Sequence, residues 1–208
     1  YLLKDADDIE IDTDLFCKLL APENYSAKGD ESANYSKDGT QIHYTITSDD
    51  SKYALGRIVS RNKDVDIANV KDENGTLNLP KELVPGKYQF IFTNDKYADL
   101  NFTATINSGL TADKFHFENN TLKLDENEAG LTLKEYLDAT TAKVNDTEYK
   151  GGKGRKFGKV AFNEDGSINL DAKYSNDGKD EPVFKDAGTY KIELSADGYP
   201  DLTFEVTK

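Results

Sequence analysis

Apolar and polar residues alternate in two separate stretches of the chain, residues 86–106 and 188–206. A period of two is typical of β-strands with one buried face. A short polar segment interrupts each stretch, at residues 93–98 and 195–200, and predicts a turn between two antiparallel strands. The sequence therefore predicts two β-hairpins, with apolar positions Tyr88, Phe90, Phe92, Leu100, Phe102, Ala104 and Ile106 in the first and Tyr190, Ile192, Leu194, Leu202, Phe204 and Val206 in the second.

The two stretches are also copies of each other. Residues 86–102 and 188–204 align without a gap at a constant separation of 102 residues. A shorter echo lies upstream, where the turn dipeptides Asn74-Gly75 and Asp165-Gly166 precede alternating apolar residues. The repeat predicts two modules, residues 1–108 and 109–208, of which the first is diverged and has an insertion near residues 25–56. The second has its own insertion near residues 174–183.

A short helix is predicted at the start of each module. Residues 15–21 parallel residues 133–139, and both carry apolar residues at a spacing of four, which fits a helical turn. In the second module Thr132 is placed to cap the helix, and Glu135 three residues later completes the pattern of a capping box.

A tyrosine near the start of each repeated strand sharpens the fold prediction. Asp186 and Gly188 precede Tyr190 at the spacing of the tyrosine corner in immunoglobulin-like sandwiches. The first copy keeps Gly86 and Tyr88. The predicted fold class is mainly β, with two tandem Ig-like antiparallel β-sandwiches that lack the disulfide of antibody domains.

Composition and charge exclude several classes of function. The formal net charge of −13 argues against a nucleic-acid partner or an anionic membrane surface. The single cysteine, Cys17, allows no intrachain disulfide and lies in an apolar stretch, which favours burial over catalysis. No Ser-His-Asp or Gly-x-Ser-x-Gly pattern occurs, so an enzyme is not expected.

Candidate metal and phosphate sites are weak. His43 and His116 lie in apolar alternation, and no spacing typical of a zinc site occurs. The acidic run at residues 5–14 is either a solvated edge or a weak calcium site, and the first alternative is favoured. Residues 150–156 are basic and glycine-rich but lack the order of a phosphate-binding loop, so a mobile loop is expected. No metal or cofactor is expected.

The segment from Gly188 to Thr207 resembles a known family. Its Gly-x-Tyr, followed by Gly-Tyr-x-Asp-Leu-Thr-Phe-x-Val-Thr, is similar to the haemoglobin-interacting domain of Gram-positive surface proteins such as the streptococcal receptor Shr. The first copy is looser, with Lys96 and Ala98 in place of Gly198 and Pro200. The resemblance implies a secreted or cell-wall-attached protein that binds a host protein such as haemoglobin, without enzymatic activity and without membrane insertion of this fragment.

Five tyrosines are predicted to contact the partner. Tyrosine is favoured at protein interfaces, and we expect three of the five to be exposed on loops of the first insertion, while two lie in the hairpin turns. The hairpin tyrosines have an alternative role in packing under the turn. A structural spacer or a glycan-binding module remain alternatives to host-protein recognition. The five candidates are Tyr25, Tyr35, Tyr53, Tyr97 and Tyr199.

Overall fold

The computed structural model describes residues 18–49, 52–61, 63–150, 156–174 and 179–208. The described residues form two hydrophobic clusters, one drawn from residues 42–106 and the other from residues 115–206. Strands dominate and the helices are very short, so the predicted mainly β class is confirmed. We refer to residues 18–108 as the N-terminal region and to residues 109–208 as the C-terminal region.

Two sheets form the N-terminal region. One has the strand order β1-β3-β7-β6, and the other has the order β2-β9-β8-β4-β5, in which β2 runs parallel to β9. These two orders correspond to strands A-B-E-D and A′-G-F-C-C′ of an immunoglobulin-like sandwich. The strands are β1 (Ser26–Gly29), β2 (Ser32–Asn34), β3 (Thr40–Thr47), β4 (Ala54–Ser60), β5 (Lys63–Val65), β6 (Lys71–Glu73), β7 (Thr76–Leu79), β8 (Gly86–Thr93) and β9 (Leu100–Asn107).

The predicted alternation builds the core between these two sheets. Phe90 on β8 lies opposite Phe102 on β9, and their rings stack at 5.1 Å. From the facing sheet, Tyr44 on β3 packs against Phe92 at 4.7 Å. The polar residues that alternate with these aromatic residues along the strands, such as Asn101, are exposed. The first predicted hairpin is therefore present with the predicted face buried.

The C-terminal region has a four-stranded sheet of order β13-β12-β16-β17, together with two short hairpins, β10-β11 and β14-β15. The repeated passage forms β16 and β17, so the second predicted hairpin is also confirmed. The strands and helices are β10 (Phe115–Glu118), β11 (Thr121–Leu124), α1 (Leu133–Leu137), β12 (Thr141–Val144), β13 (Thr147–Tyr149), α2 (Phe157–Ala161), β14 (Lys173–Tyr174), β15 (Glu181–Pro182), β16 (Thr189–Ser195) and β17 (Leu202–Thr207).

The four-stranded sheet is the part that the two regions share. Its order corresponds to β5-β4-β8-β9 in the N-terminal region, strand for strand. The opposite layer differs, because α1, α2 and the two hairpins cover this sheet where the N-terminal region has a second four-stranded sheet. The C-terminal region is therefore a sheet packed against short helices and hairpins, with half of the sandwich seen in the N-terminal region.

Both tyrosine corners are formed. The Tyr190 hydroxyl donates to the Asp186 carbonyl at 2.7 Å and accepts from the Asp186 amide at 2.9 Å. In the N-terminal region the Tyr88 hydroxyl donates to the Val84 carbonyl at 2.6 Å, and burial raises the pKa of Tyr88 to about 12. The corner therefore forms in the first copy even though valine replaces the aspartate, because only the backbone carbonyl is needed.

The helix predictions had different outcomes in the two regions. Thr132 caps α1, its hydroxyl accepts from the Glu135 amide, and the Glu135 carboxylate accepts from the Thr132 amide at 2.7 Å, which completes the predicted capping box. In the N-terminal region residues 15–17 lie outside the described residues. Leu19 forms a bridge with Tyr97, so the described part of the predicted helix, residues 18–21, is extended. Backbone pairing with the hairpin tip replaces the helical hydrogen bonds there.

Candidate functional site

Three of the five predicted tyrosines meet at one end of the N-terminal sandwich. Tyr53 lies just before β4, Tyr97 lies in the loop between β8 and β9, and Tyr25 lies just before β1. The Tyr25 ring packs edge-on against Tyr97 at 5.3 Å and against Tyr53 at 6.3 Å. In an immunoglobulin-like sandwich this is the end where the B–C and F–G loops lie, as in antibody binding sites.

Hydrogen bonds fix the loop that carries Tyr97. The Asn94 side-chain oxygen accepts from the amides of Lys96 and Tyr97, at 2.9 and 3.0 Å. Its side-chain nitrogen donates to the Lys52 carbonyl at 2.6 Å, and the Tyr53 hydroxyl donates to the Ala98 carbonyl at 3.1 Å. Asparagine suits this position because its short amide side chain bonds readily to the backbone of a turn. The loop is therefore held in one conformation against the start of β4.

Two leucines lie beside these tyrosines and are exposed. Leu19 is 53% exposed and Leu20 is 90% exposed, and no other large hydrophobic side chain of the described residues is classed as exposed. The Leu19 amide donates to the Lys96 carbonyl at 2.8 Å, and the Leu19 carbonyl accepts from the Ala98 amide at 2.8 Å. We call the set Leu19, Leu20, Tyr25, Tyr53 and Tyr97 the Leu–Tyr surface.

The tyrosines of this surface are less exposed than the sequence suggested. Tyr25 is only 9% exposed, and Tyr53 and Tyr97 are half-buried, because the three rings cover one another. Burial is also the main cause that raises the pKa of Tyr53. Lys96 lies over the Tyr97 ring with its Nζ 5.0 Å from the ring centre. The sequence analysis predicted a helix over residues 15–21 and did not single out either leucine as a candidate contact.

The other two predicted tyrosines lie elsewhere, where the N-terminal and C-terminal regions meet. The Tyr35 hydroxyl donates to the Lys81 carbonyl at 3.0 Å, and burial is the main cause that raises its pKa. Tyr199 packs edge-on against Tyr136 at 5.3 Å, and its hydroxyl is buried without a hydrogen-bond partner among the described residues. Burial strongly raises the pKa of Tyr199, and the Glu135 carboxylate adds to the shift.

A groove lies at the end of the C-terminal region opposite the β16–β17 turn, beside the predicted second insertion. Tyr149 and Tyr174 form its aromatic floor, with rings 5.5 Å apart and nearly perpendicular. Charged side chains flank it, including the ion pair between Lys185 and Glu181 at 3.1 Å. Residues 175–178 of the insertion lie outside the described residues.

Neither histidine belongs to a cluster that resembles a metal site. His43 Nδ1 lies 2.9 Å from the Asp30 carboxylate, and His116 Nε2 lies 3.0 Å from that of Asp125. Among the described residues no group of three or more His, Cys, Asp or Glu side chains is placed to hold a metal ion. Cys17 and the acidic run at residues 5–14 lie outside that part of the chain, so those predictions stay predictions.

The basic glycine-rich segment lies in an unexpected context. Residues 151–155 are outside the described residues, but β13 ends just before the segment at Tyr149 and α2 begins just after it at Phe157. Lys156 is half-buried, and burial is the main cause that lowers its pKa. The segment therefore connects a strand to a short helix, a context that the sequence did not predict.

Comparison with protein families assigns the C-terminal region. Residues 110–207 match the family model described as "Heme-binding protein Shr-like, Hb-interacting domain". The match covers one stretch, which is just under half of the chain. A second copy in the N-terminal region is not shown. Shr-like domains are binding modules of bacterial surface proteins, and no catalytic family is indicated.

Solved structures give only distant likenesses. The chain is similar to extracellular domains 3–5 of Drosophila OTK at 12% identity and a TM-score of 0.33, covering 92% of this chain and 67% of that chain. It is similar to Bacteroides ovatus SGBP-B, solved with a mixed-linkage heptasaccharide, at 13% identity and a TM-score of 0.28, covering 91% and 46%. For murine CEACAM1b the values are 15% identity and 0.26, with 86% and 98% covered.

These likenesses carry no argument about function at such TM-scores. A search of curated proteins gave no match. Within the described ranges, no helix has the length and apolar character needed to cross a bilayer.

Proposed function

We propose that the chain is a non-enzymatic binding unit of a secreted or cell-wall-attached bacterial protein, and that its partner is haemoglobin or another host protein. The observation that carries the proposal is the match of residues 110–207 to the Shr-like haemoglobin-interacting domain. The two hydrophobic clusters support a further part of it, namely that residues 1–108 and 109–208 are two modules. The shared four-stranded sheet and tyrosine corner support a common origin of the two modules.

The Leu–Tyr surface is our proposed contact for the partner in the N-terminal module. Tyrosine is enriched at protein interfaces, and rigid tyrosines lose little conformational entropy on binding. Leu19 and Leu20 are the two large hydrophobic side chains that the described residues expose, and because they are neighbours they form an apolar patch beside the tyrosines instead of a single scattered residue. The loops that hold the surface are fixed by Asn94 and Tyr53, so the contact is formed before the partner arrives.

Tyr35 and Tyr199 are less well placed to contact a partner than the tyrosines of the Leu–Tyr surface. The Tyr199 hydroxyl is buried, and the Tyr35 hydroxyl already bonds to the Lys81 carbonyl. Partner binding by these two tyrosines stays a prediction that a Tyr199→Ala variant can test. Lost binding with an unchanged melting temperature favours a contact role, whereas a lowered melting temperature favours packing.

Biolayer interferometry with immobilised haemoglobin tests the proposed partner. The full chain is expected to bind saturably, and no binding at tens of micromolar would exclude haemoglobin as the partner. Leu20→Asp is expected to weaken binding at least about tenfold, which corresponds to about 1.4 kcal/mol. Its melting temperature should not change, because the side chain is almost wholly exposed.

A matched control for the added charge is Asn101→Asp on the outer face of β9. Asn101 is exposed, and its side-chain oxygen accepts a hydrogen bond from Gln89 that aspartate preserves. The control should bind as the unmodified chain does. If Leu20→Asp leaves saturable binding unchanged, the Leu–Tyr surface does not contact the partner. The groove beside Tyr149 and Tyr174 would then be the next candidate contact.

A structural spacer is the second candidate function, and the junction between the two regions favours it. Ser108 is 4% exposed and its amide bonds directly to the Gly198 carbonyl at 2.6 Å, so little free linker separates the regions. A spacer predicts a stiff rod and no ligand. Absence of binding to haemoglobin and to a panel of host serum proteins, combined with a rigid junction, would favour the spacer over the receptor.

A further inference from the structure

We infer that the hairpin tip of the C-terminal region, residues 196–200, is a docking surface for the end of the N-terminal region, and that Gly198 is the residue that admits it. The two regions then move as one body in solution. The inference does not depend on the proposed partner, because it rests on contacts within the chain.

The closest approach lies at Gly198. Its carbonyl accepts the Ser108 amide at 2.6 Å, and its backbone has a φ of +79°. A methyl group added at this position would collide with the Ile106 carbonyl oxygen and lie 3.0 Å from the Gly86 nitrogen. The backbone of one region therefore lies against the backbone of the other, with no room for a side chain between them.

The atoms that approach Gly198 belong to a rigid part of the N-terminal region. Gly86 and Ile106 are paired partners at the end of the β8–β9 hairpin, so the tip contacts the end of the central sheet. Ile106 is fully buried. Movement of the tip relative to this sheet end would break the hydrogen bond between the Ser108 amide and the Gly198 carbonyl, which opposes separation of the regions.

A second hydrogen bond crosses the junction at a different place. The Arg61 guanidinium, in the turn between β4 and β5, donates to the carbonyl of Asp138, which ends α1, at 3.2 Å. The Arg61 charge also acts across this interface, where it contributes to the lowered pKa of Lys156 and opposes the burial that raises the pKa of Tyr199. Two separated points of contact resist rotation about the short connection, which a single bond would allow.

The other hairpin tip in the chain shows what is special about Gly198. The position 102 residues earlier is Lys96, and its carbonyl accepts the Leu19 amide at 2.8 Å, just as Gly198 accepts Ser108. Both tips therefore receive a backbone amide from the segment that enters the module. Unlike Gly198, Lys96 does not have a positive φ. Its side chain lies over the Tyr97 ring.

Glycine is needed at position 198 for two reasons. A φ of +79° is strained for residues with a Cβ, although asparagine tolerates it. The collision with Ile106 excludes asparagine as well, because every side chain begins with that Cβ. The change from Lys96 to Gly198 between the two copies thus marks the tip that has a module docked on it.

Residual dipolar couplings measured by NMR on the full chain test the inference. Backbone couplings from residues 18–108 and from residues 109–208 should fit one alignment tensor in the unmodified protein. The Ser108 amide should be protected from hydrogen exchange, since it is buried and bonded to Gly198. Two distinct tensors, or an unprotected Ser108 amide, would overturn the proposal.

Gly198→Ala should separate the regions, with two tensors and at least about tenfold faster exchange at Ser108, whereas unchanged protection at Ser108 would overturn the docking role. The matched control is Gly130→Ala, because Gly130 has a similar φ of +69° but no atom within 4 Å of an added Cβ. It imposes the same backbone strain without the collision and should keep a single tensor. The wild-type measurement needs no variant, so it decides the proposal even where Gly198→Ala does not fold.

Discussion

The two regions of the chain build the same four-stranded sheet and cover it in different ways. In the N-terminal region a second sheet supplies Ile42, Leu77 and Leu79 to the core. In the C-terminal region two five-residue helices and two short hairpins occupy the same side of the sheet. The repeated passage therefore forms two strands of the sheet and the tyrosine corner, while residues outside it supply the other two strands and the layer that packs on the sheet.

The difference extends to the core residue at the centre of the repeated strand. Phe90 and Ile192 occupy equivalent positions 102 residues apart, and both are fully buried. In the N-terminal region the aromatic volume lies on the sheet itself, where Phe90 stacks on Phe102. In the C-terminal region much of it comes from the covering layer, with Tyr136 on α1 and Phe157 on α2.

Phe90→Ala is the variant with the largest expected effect. Removal of a fully buried phenylalanine costs about 3–5 kcal/mol, and Ile192→Ala costs about 2–5 kcal/mol. Each variant should remove hydrogen-exchange protection mainly from its own region, because the two clusters are built from separate sets of residues. Urea unfolding followed by tyrosine fluorescence measures the loss.

The control for this pair is Lys87→Ala, an exposed position on the same strand as Phe90, which should unfold as the unmodified chain does. Equal loss of protection throughout the chain in the Phe90 variant would contradict the separation of the cores. It would show instead that the two regions unfold as one cooperative unit.

The two turn glycines should also respond unequally, although the sequence presents them as equivalents. Gly75 has a φ of +87° and an added methyl group would lie 3.0 Å from the Tyr44 carbonyl. Gly166 has a φ of +84°, and the methyl group would collide with the Leu122 carbonyl oxygen and with the Leu133 side chain. Strain alone costs about 1–2 kcal/mol for Gly75→Ala. Overpacking adds about 1–3 kcal/mol for Gly166→Ala.

Thermal unfolding of the two variants measures this contrast. The carbonyls of both glycines accept a strand amide, from Leu122 at Gly166 and from Tyr44 at Gly75, so the two turns differ in the space around the added methyl group and not in their backbone bonds. Equal losses of stability in the two variants would mean that the C-terminal turn shifts freely, and would contradict the close packing around Gly166.

The tyrosine corners offer a smaller but cleaner comparison. Tyr88→Phe removes the bond to the Val84 carbonyl from a buried side chain, and we expect a loss of about 1–2 kcal/mol. Tyr190→Phe removes two bonds to Asp186, but Asp186 is exposed and water replaces them, so a loss of less than about 1 kcal/mol is expected. Urea titration of both variants checks the order, and a larger loss at Tyr190 would contradict it.

Local patterns in the sequence were sufficient to predict the hairpins, the tyrosine corner and the capping box of Thr132. Each depends on residues a few positions apart, whose geometry a short motif determines. The helix predicted at residues 15–21 was wrong in its described part, because Leu19 pairs with a loop that is distant in sequence. A period of four over so short a stretch does not distinguish a helix from an edge segment.

The candidate site was predictable only in part for the same reason. Tyr25, Tyr53 and Tyr97 come together through the packing of three separate loops, and nothing local in the sequence places the Tyr25 ring 6.3 Å from Tyr53 and 5.3 Å from Tyr97. The contact between the two regions was also not predicted, although the sequence shows lysine at position 96 and glycine at the equivalent position 198. A glycine at one copy and a lysine at the other indicates a close approach only once the neighbouring backbone is known.

The smallest expected effect concerns the histidine–aspartate pair of the N-terminal region. The His43 amide and ring hold the pKa of Asp30 below its usual value, with the backbone bond as the largest cause. A carboxylate with a lowered pKa stabilises the fold above its unfolded pKa, and this contribution is lost as the pH falls through the folded value. Because both side chains are more than a third exposed, solvent screening limits the contribution to about 0.5 kcal/mol or less.

Asp30→Asn tests this contribution against pH. At pH 7 the variant should be less stable than the unmodified chain by no more than this amount, and the difference should vanish at a pH low enough to protonate Asp30. Urea midpoints at neutral and acidic pH measure it. Asp125→Asn, at the other exposed His–Asp pair, extends the comparison to the C-terminal region. A difference for Asp30→Asn that grows as the pH falls would contradict the assigned direction of the shift, because it would require a carboxyl that is stabilised in its protonated form.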